Sequence, residues 1–288
     1  MKRVSKNLVV VTLSIALAAS GLSGCGAVPI SNTSDDVSSN AGAVSNDAAN
    51  TSEDASKEEP DDASGDDVYV GSETDTVQWF NASYAILTYA NGQDYNMFGG
   101  SEPGMVMEMQ YQSMLDSSWG VTDRESADET LDWILTEGHR DDFMITGELL
   151  SMMVEECGED GLADFLMQEY GESQEEADLD VAAYEMYKEY GETAIDGWDY
   201  CRALSLLSFY YMAGYYTKEE ALDKSLEIAQ TVQPLFDSWD GLIDSYLRGY
   251  EYWAEADSSE RREIYEELLA ANDNPFRVDY NITLEKTW

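Results

Sequence analysis

Histidine is nearly absent from this chain: His139 is the only one in 288 residues. Any Ser-His-Asp arrangement would have to use it, and no Gly-x-Ser-x-Gly elbow accompanies it. Zinc sites need several nitrogen or sulfur ligands, which one histidine and distant cysteines do not supply. Glycine-rich phosphate loops and twelve-residue calcium loops are missing as well. No metal and no cofactor is therefore expected. Cysteine is scarce, with Cys25, Cys157 and Cys201 the full set. The last two could pair, but one pair makes no disulfide framework. Basic residues number 15 against 59 acids, so the formal charge is −44. Such a surface is a poor match for phosphate backbones, and no nucleic-acid partner is expected.

What is present begins with Lys2, Arg3 and Lys6, then the apolar run "LVVVTLSIALAA" and the tetrad Leu22-Ser23-Gly24-Cys25. The layout is that of a secretory signal, and the run is too short to span a bilayer comfortably. The tetrad resembles the lipobox of bacterial lipoproteins. The resemblance implies that residues 1–24 are removed as a signal peptide and that Cys25 is acylated, palmitate being the type of chain. Two or three acyl chains anchor stably, at about 0.8 kcal/mol per buried CH₂. The expected location is the extracytoplasmic face of a bacterial cell membrane, with the lipid on Cys25 as the membrane contact.

Residues 25–76 are rich in Ser, Asn, Ala, Asp and Glu and poor in large apolar residues. Such a segment cannot bury enough surface to offset its ordering entropy. It reads as a disordered acidic tether with an r.m.s. span of roughly 40 Å. Of the −44 total, +3 sits in the signal and −12 in the tether, leaving −35 on residues 77–288. That charge disfavours anionic lipid and suits solubility, divalent cations and basic partners.

Residues 77–288 are long enough for one core and read as a single all-α domain of about eight to ten helices. "FRVDYNITLEKTW" at the end admits a short extended segment. Helical runs fall at roughly 76–91, 103–118, 124–137, 143–156, 159–170, 174–190, 197–214, 217–232, 235–255 and 258–271, by periodicity and punctuation. Thr217 and Glu220 form a capping box, and Gly138, Gly191 and Gly214 sit where helices should stop. Trp239, Leu242, Ile243, Tyr246, Tyr250 and Trp253 make one stripe at the helical period. The 197–214 run is apolar around most of its circumference and should be the central buried helix. Met105, Met107 and Met109 alternate, which on a helix cannot converge on one copper ion; they read as core filling.

Three segments then resemble one family in order and spacing: "SSWGVTDRESADETLDWILTEGHRDDF" (117–143), "AIDGWDYCRALSLLSFYYMAGYYTKEEAL" (194–222) and "SWDGLIDSYLRGYEYW" (238–253). They are similar to the bacterial domain-of-unknown-function family 1266, over about 117–253 and loosely to 288. Residues 144–193 carry none of the recognised motifs. The resemblance implies an α-rich bacterial domain and no established activity.

One constellation remains. His139 and Arg140 follow Gly138, where His139 would cap carbonyls at a helix C-terminus. Asp199 and Arg202 lie at i, i+3 and can pair locally. In one reading these four residues clamp helices together. In the other they make a ligand or catalytic pocket, with His139 as acid/base, Arg202 as anion binder and Trp133, Trp198 and Trp239 as walls. The clamp is preferred, since most of the seven Trp and nineteen Tyr fall on helical stripes. The expected function is a non-enzymatic binding or interaction module with a protein or small-molecule partner. The alternatives are an envelope hydrolase or small-ligand enzyme using His139 and Arg202, and divalent-cation binding by the acidic surface.

Overall fold

The computed structural model describes residues 73–288, so the expected signal peptide, Cys25 and nearly all of the tether lie outside the described residues. The described chain is all-α: Asp75–Ser83 (α1), Ala85–Ala90 (α2), Met105–Trp119 (α3), Arg124–Thr136 (α4), Gly138–Cys157 (α5), Leu162–Phe165 (α6), Gln174–Tyr190 (α7), Asp196–Met212 (α8), Lys218–Val232 (α9), Trp239–Ala254 (α10) and Ser259–Ala270 (α11). None of the described helices is long and apolar enough to cross a membrane.

The polar punctuation explains most boundaries. Asp123 and Ser173 close reciprocal capping boxes at the starts of α4 and α7, and Ser238 Oγ accepts from Gly241 N at 3.2 Å to start α10. The box expected at Thr217 forms only halfway. Thr217 Oγ1 accepts from Glu220 N, but the Glu220 carboxylate turns outward to Arg124 instead of returning to the cap. The expected first helix, 76–91, breaks at Tyr84 (φ −121°). There Ser83 Oγ donates to Phe80 O at 2.6 Å, a local bond that competes with the helical ladder.

Helix α8 is the axle. Every residue of it is buried except Tyr200 and Tyr211. α3, α4, α5, α9 and α10 pack around it, and α10 comes closest. A Cβ on Gly249 would lie 2.1 Å from the Trp198 Cβ, and one on Gly197 would lie 2.6 Å from Leu242 O. These two glycines set the crossing because no larger side chain fits between the backbones. Ser245 locks it, accepting from Gly197 N and donating to Ala194 O, both at 2.9 Å. A smaller cluster of Leu150, Leu162, Leu166, Ala177 and Tyr184 joins α5, α6 and α7. Cys157 and Cys201 are free thiols. Cys201 is sealed in the main core while Cys157 sits against that smaller cluster, so the pairing left open by the sequence does not form.

The last residues, from Val278 onward, are irregular rather than a strand. No partner strand is present among the described residues, and helical side chains satisfy their carbonyls instead. Trp79 Nε1 and Gln233 Nε2 donate to Tyr280 O, Trp239 Nε1 to Val278 O, and Gln230 Nε2 to Leu284 O. The methionine run also departs from expectation. Met107 packs against the core, but Met105 and Met109 are 79% and 64% exposed, so core filling describes only one of the three.

Candidate functional site

The junction between α4 and α5 is where the expected constellation assembles. Asp199, on α8, is fully buried. Its Oδ2 accepts from the backbone N–H groups of His139 at 2.8 Å and Arg140 at 3.0 Å. Those donors are among the orphans that open any helix, so an aspartate from another helix caps α5. Gly138 makes the approach possible. Its φ of +65° favours glycine, and a Cβ there would sit 2.2 Å from the capping oxygen. Arg140 turns the other way. Its Nη1 donates to Ile134 O at 2.8 Å and its Nη2 to Leu135 O, capping the end of α4, while the guanidinium stacks on Tyr200 at 4.9 Å.

These bonds correct two expectations. α5 starts at Gly138, five residues before the run expected at 143–156, because Asp199 supplies a cap that no local residue provides. His139 therefore lies in the first turn of a helix rather than after the last turn of one. A positive charge there meets the positive end of the helix dipole, and carbonyl capping falls to Arg140.

The His139 ring packs edge-on to Trp133, with centroids 5.3 Å apart, and its side chain is 20% exposed. Nδ1 lies 3.1 Å from Arg202 Nη1 and 3.4 Å from Asp199 Oδ1. The expected local pair of Asp199 with Arg202 is stretched to 3.9 Å, since Asp199 points to the α5 terminus. Arg202 finds its surroundings among indoles. Its guanidinium carbon is 4.5 Å from the Trp119 ring, 4.7 Å from Trp198 and 5.8 Å from Trp253. Such stacking is strongest where the cation is desolvated, and the Arg202 side chain is only 5% exposed.

The cluster is not internally complete. Arg202 Nε, Trp198 Nε1 and Asp199 Oδ1 are all buried and make no hydrogen bond. An unmet buried donor or acceptor costs about 1–3 kcal/mol, so three within one helical turn of α8 single this place out. Two further carboxylates flank it. Burial pushes Asp196 up to about 6, with Asp199 adding to the rise and Arg140 opposing it. Burial likewise raises Asp142, against the pull of His139.

Of the residues expected to line a site, Trp133 and Trp198 join the cluster and Trp239 does not. Trp239 stands about 21 Å away at the other end of α10, from the helical rise of 1.5 Å per residue. There it packs against Trp79, Tyr280 and Phe276 and borders an open cleft of about 390 Å³ edged by Asp237, Asp240 and Asp279. The sequence reading missed Trp119 and gave Trp253 only a core role. The one available signal was the Trp-Gly that closes α3, since the stack on Arg202 needs α3, α8 and α10 together. Among the described residues, no group of three or more His, Cys, Asp or Glu is placed to hold a metal ion.

Comparison with curated proteins and with solved structures found no match for the chain. A family model described as a protein of unknown function (DUF1266) matches residues 114–280. That span holds the whole Arg202 cluster, the α8–α10 crossing and the middle segment whose motifs were not recognised in the sequence. By that match the chain belongs to the DUF1266 family.

Proposed function

We propose that the protein is a lipid-anchored, extracytoplasmic binding module of the bacterial cell envelope, acting without catalysis. The anchor reading is supported by Leu22-Ser23-Gly24-Cys25 directly after an apolar run with a basic start. The non-catalytic reading is carried by one observation: the sole imidazole has its Nδ1 between the Arg202 guanidinium and the Asp199 carboxylate. Asp199 is in turn committed to the start of α5, and Arg140 to the end of α4. A general base must be within reach of a substrate proton, and this one is engaged on its inner side. Growth of the expressing cell with a labelled palmitate tests the anchor. The wild type should take up label and partition with membranes, and Cys25→Ala should do neither. Label on the Cys25→Ala chain would overturn the anchorage. Cross-linking on intact cells tests the module, with a recurrent partner or ligand above background expected and none overturning it.

A hydrolase or small-ligand enzyme remains the competing reading, favoured by the one-fifth exposure of the His139 side chain. It requires His139→Ala to abolish an activity while leaving the fold intact.

A further inference from the structure

We propose that the buried Arg202–Trp198 corner is a binding site for a small monoanionic carboxylate carried on a flat apolar body. It rests on the binding-module reading but not on membrane anchorage. Two N–H donors carry the inference: Arg202 Nε and Trp198 Nε1 are buried without an acceptor, in residues 4% and 1% exposed. Both belong to one turn of α8, and the guanidinium carbon is 4.7 Å from the Trp198 ring. The Nη1 corner of the fork is engaged by His139. The Nε side is the one left to an incoming acceptor, and a carboxylate matches a guanidinium edge through its two oxygens.

The surroundings select the class. Trp119 and Trp253 are half-buried indoles beside the guanidinium, offering flat apolar walls between it and solvent. Trp119 closes α3, immediately before Gly120 in the left-handed region (φ 67°). Arg140 and Arg202 bring two guanidinium groups to Asp199 in a domain with few cations. A dianion such as phosphate meets the buried Asp199 carboxylate 3.9 Å from Arg202 more strongly than a monoanion does, and a single negative charge spread over two oxygens fits two donors.

The test uses the full-length lipoprotein in detergent, titrated with sodium benzoate, sodium acetate and inorganic phosphate at fixed pH and ionic strength. Calorimetry should show saturable benzoate binding, at least about tenfold tighter than acetate, with phosphate weaker still. Trp198→Phe keeps an aromatic ring and removes the indole N–H; it should weaken benzoate about tenfold, the scale of one charge-assisted hydrogen bond. Arg202→Lys keeps the charge and removes Nε–H, and should do the same. Indole N–H spectra of the wild type provide a reading that needs no variant, with benzoate expected to shift an indole resonance. Tighter phosphate than benzoate would overturn the carboxylate assignment. Absence of saturable binding and of any indole shift, or unchanged binding by a folded Trp198→Phe, would overturn the site. A failure of benzoate binding leaves the cross-linking search for a partner on intact cells untouched, so the failure of this site and the failure of the binding-module reading are separable.

Discussion

At the scale of residues, Asp199 and His139 invert the roles that their chemistry suggests. The imidazole draws attention as the only one in the chain, yet its ring makes one hydrogen-bonding contact, to Arg202 Nη1. Asp199 is one acid of 59 and holds two backbone donors, Arg140 and the approach to Arg202. Their truncations should differ accordingly. Asp199→Ala leaves two helix-opening N–H groups and two buried guanidinium groups without a counter-charge, a loss of about 3–5 kcal/mol on the scale of broken buried pairs. His139→Ala removes a single bond to a cation, worth about 1.5 kcal/mol, and for a domain of this length should lower the melting temperature by about 3–6 °C. Guanidinium denaturation of both variants measures the gap. A His139→Ala loss equal to that of Asp199→Ala would mean the imidazole, not the carboxylate, organises the joint. These four residues were legible in the sequence as a set. Their division of labour was not, because Asp199 acts across sixty residues and local spacing shows only its weak pairing with Arg202.

At the scale of elements, close approach decides more than hydrophobic periodicity. The stripe from Trp239 to Trp253 and the all-round apolar α8 were readable, and both helices stand within a few residues of where the pattern puts them. The start of α5 was misread because its cap comes from α8, and the end of the chain hinted at strand because β-branched residues cannot show that the described residues hold no partner strand. The crossing of α8 and α10 was also hidden, since a glycine inside a helix announces nothing until its neighbour is known. Gly249→Ala makes the point measurable. On an isolated helix the change would favour the helix by about 1 kcal/mol. Here the added carbon would overlap the Trp198 Cβ at 2.1 Å, an atom that cannot swing away. Overpacking of this kind typically costs about 1–3 kcal/mol, and after the helix-propensity gain a net loss of about 1 kcal/mol is expected in denaturant unfolding. A gain in stability would mean that the helices can part without cost. Gln233→Leu tests the C-terminal segment in the same assay. It strands the Ile282 carbonyl and leaves Tyr280 O with Trp79 Nε1 alone, and should destabilise the domain by about 1 kcal/mol through the unmet acceptor.

At the scale of the molecule, the excess of acid sets how stability depends on pH. Glu172 is pushed up to about 7 by burial and by Asp180 and Glu176, and neither of its carboxylate oxygens has a hydrogen-bond partner. Asp180 is pushed up to about 6 by burial, Glu176 and Glu255, and Asp196 likewise by burial and Asp199. A carboxyl whose folded value is raised gives up its proton later than in the unfolded chain. Ionisation then costs the fold progressively from about pH 4, the ordinary carboxylate range, to about pH 7, and no further above that. The exposed Asp123, Asp128, Glu159, Glu176, Asp223 and Asp257 are lowered by caps and pairs, so their contribution fails only as the pH drops below that range. The two sets together place maximum stability near pH 4–5 and make it decline toward neutrality, the reverse of a protein whose carboxylates are mostly paired. Glu172→Gln removes the largest of these penalties. After discounting for the partial exposure of this side chain, the variant should be about 1 kcal/mol more stable than wild type at pH 8 and indistinguishable from it at pH 4. Added salt should raise the wild-type melting temperature at pH 8 as well, because it screens repulsion among exposed acids beyond about 10 Å, yet leave much of the Glu172 difference, whose carboxylate is buried. A wild-type profile that climbs from pH 5 to pH 8 would show that the folded chain releases its carboxyl protons earlier than the unfolded one, and would overturn this account. A Glu172→Gln variant less stable than wild type at pH 8 would show that the ionised side chain is a contributor rather than a burden.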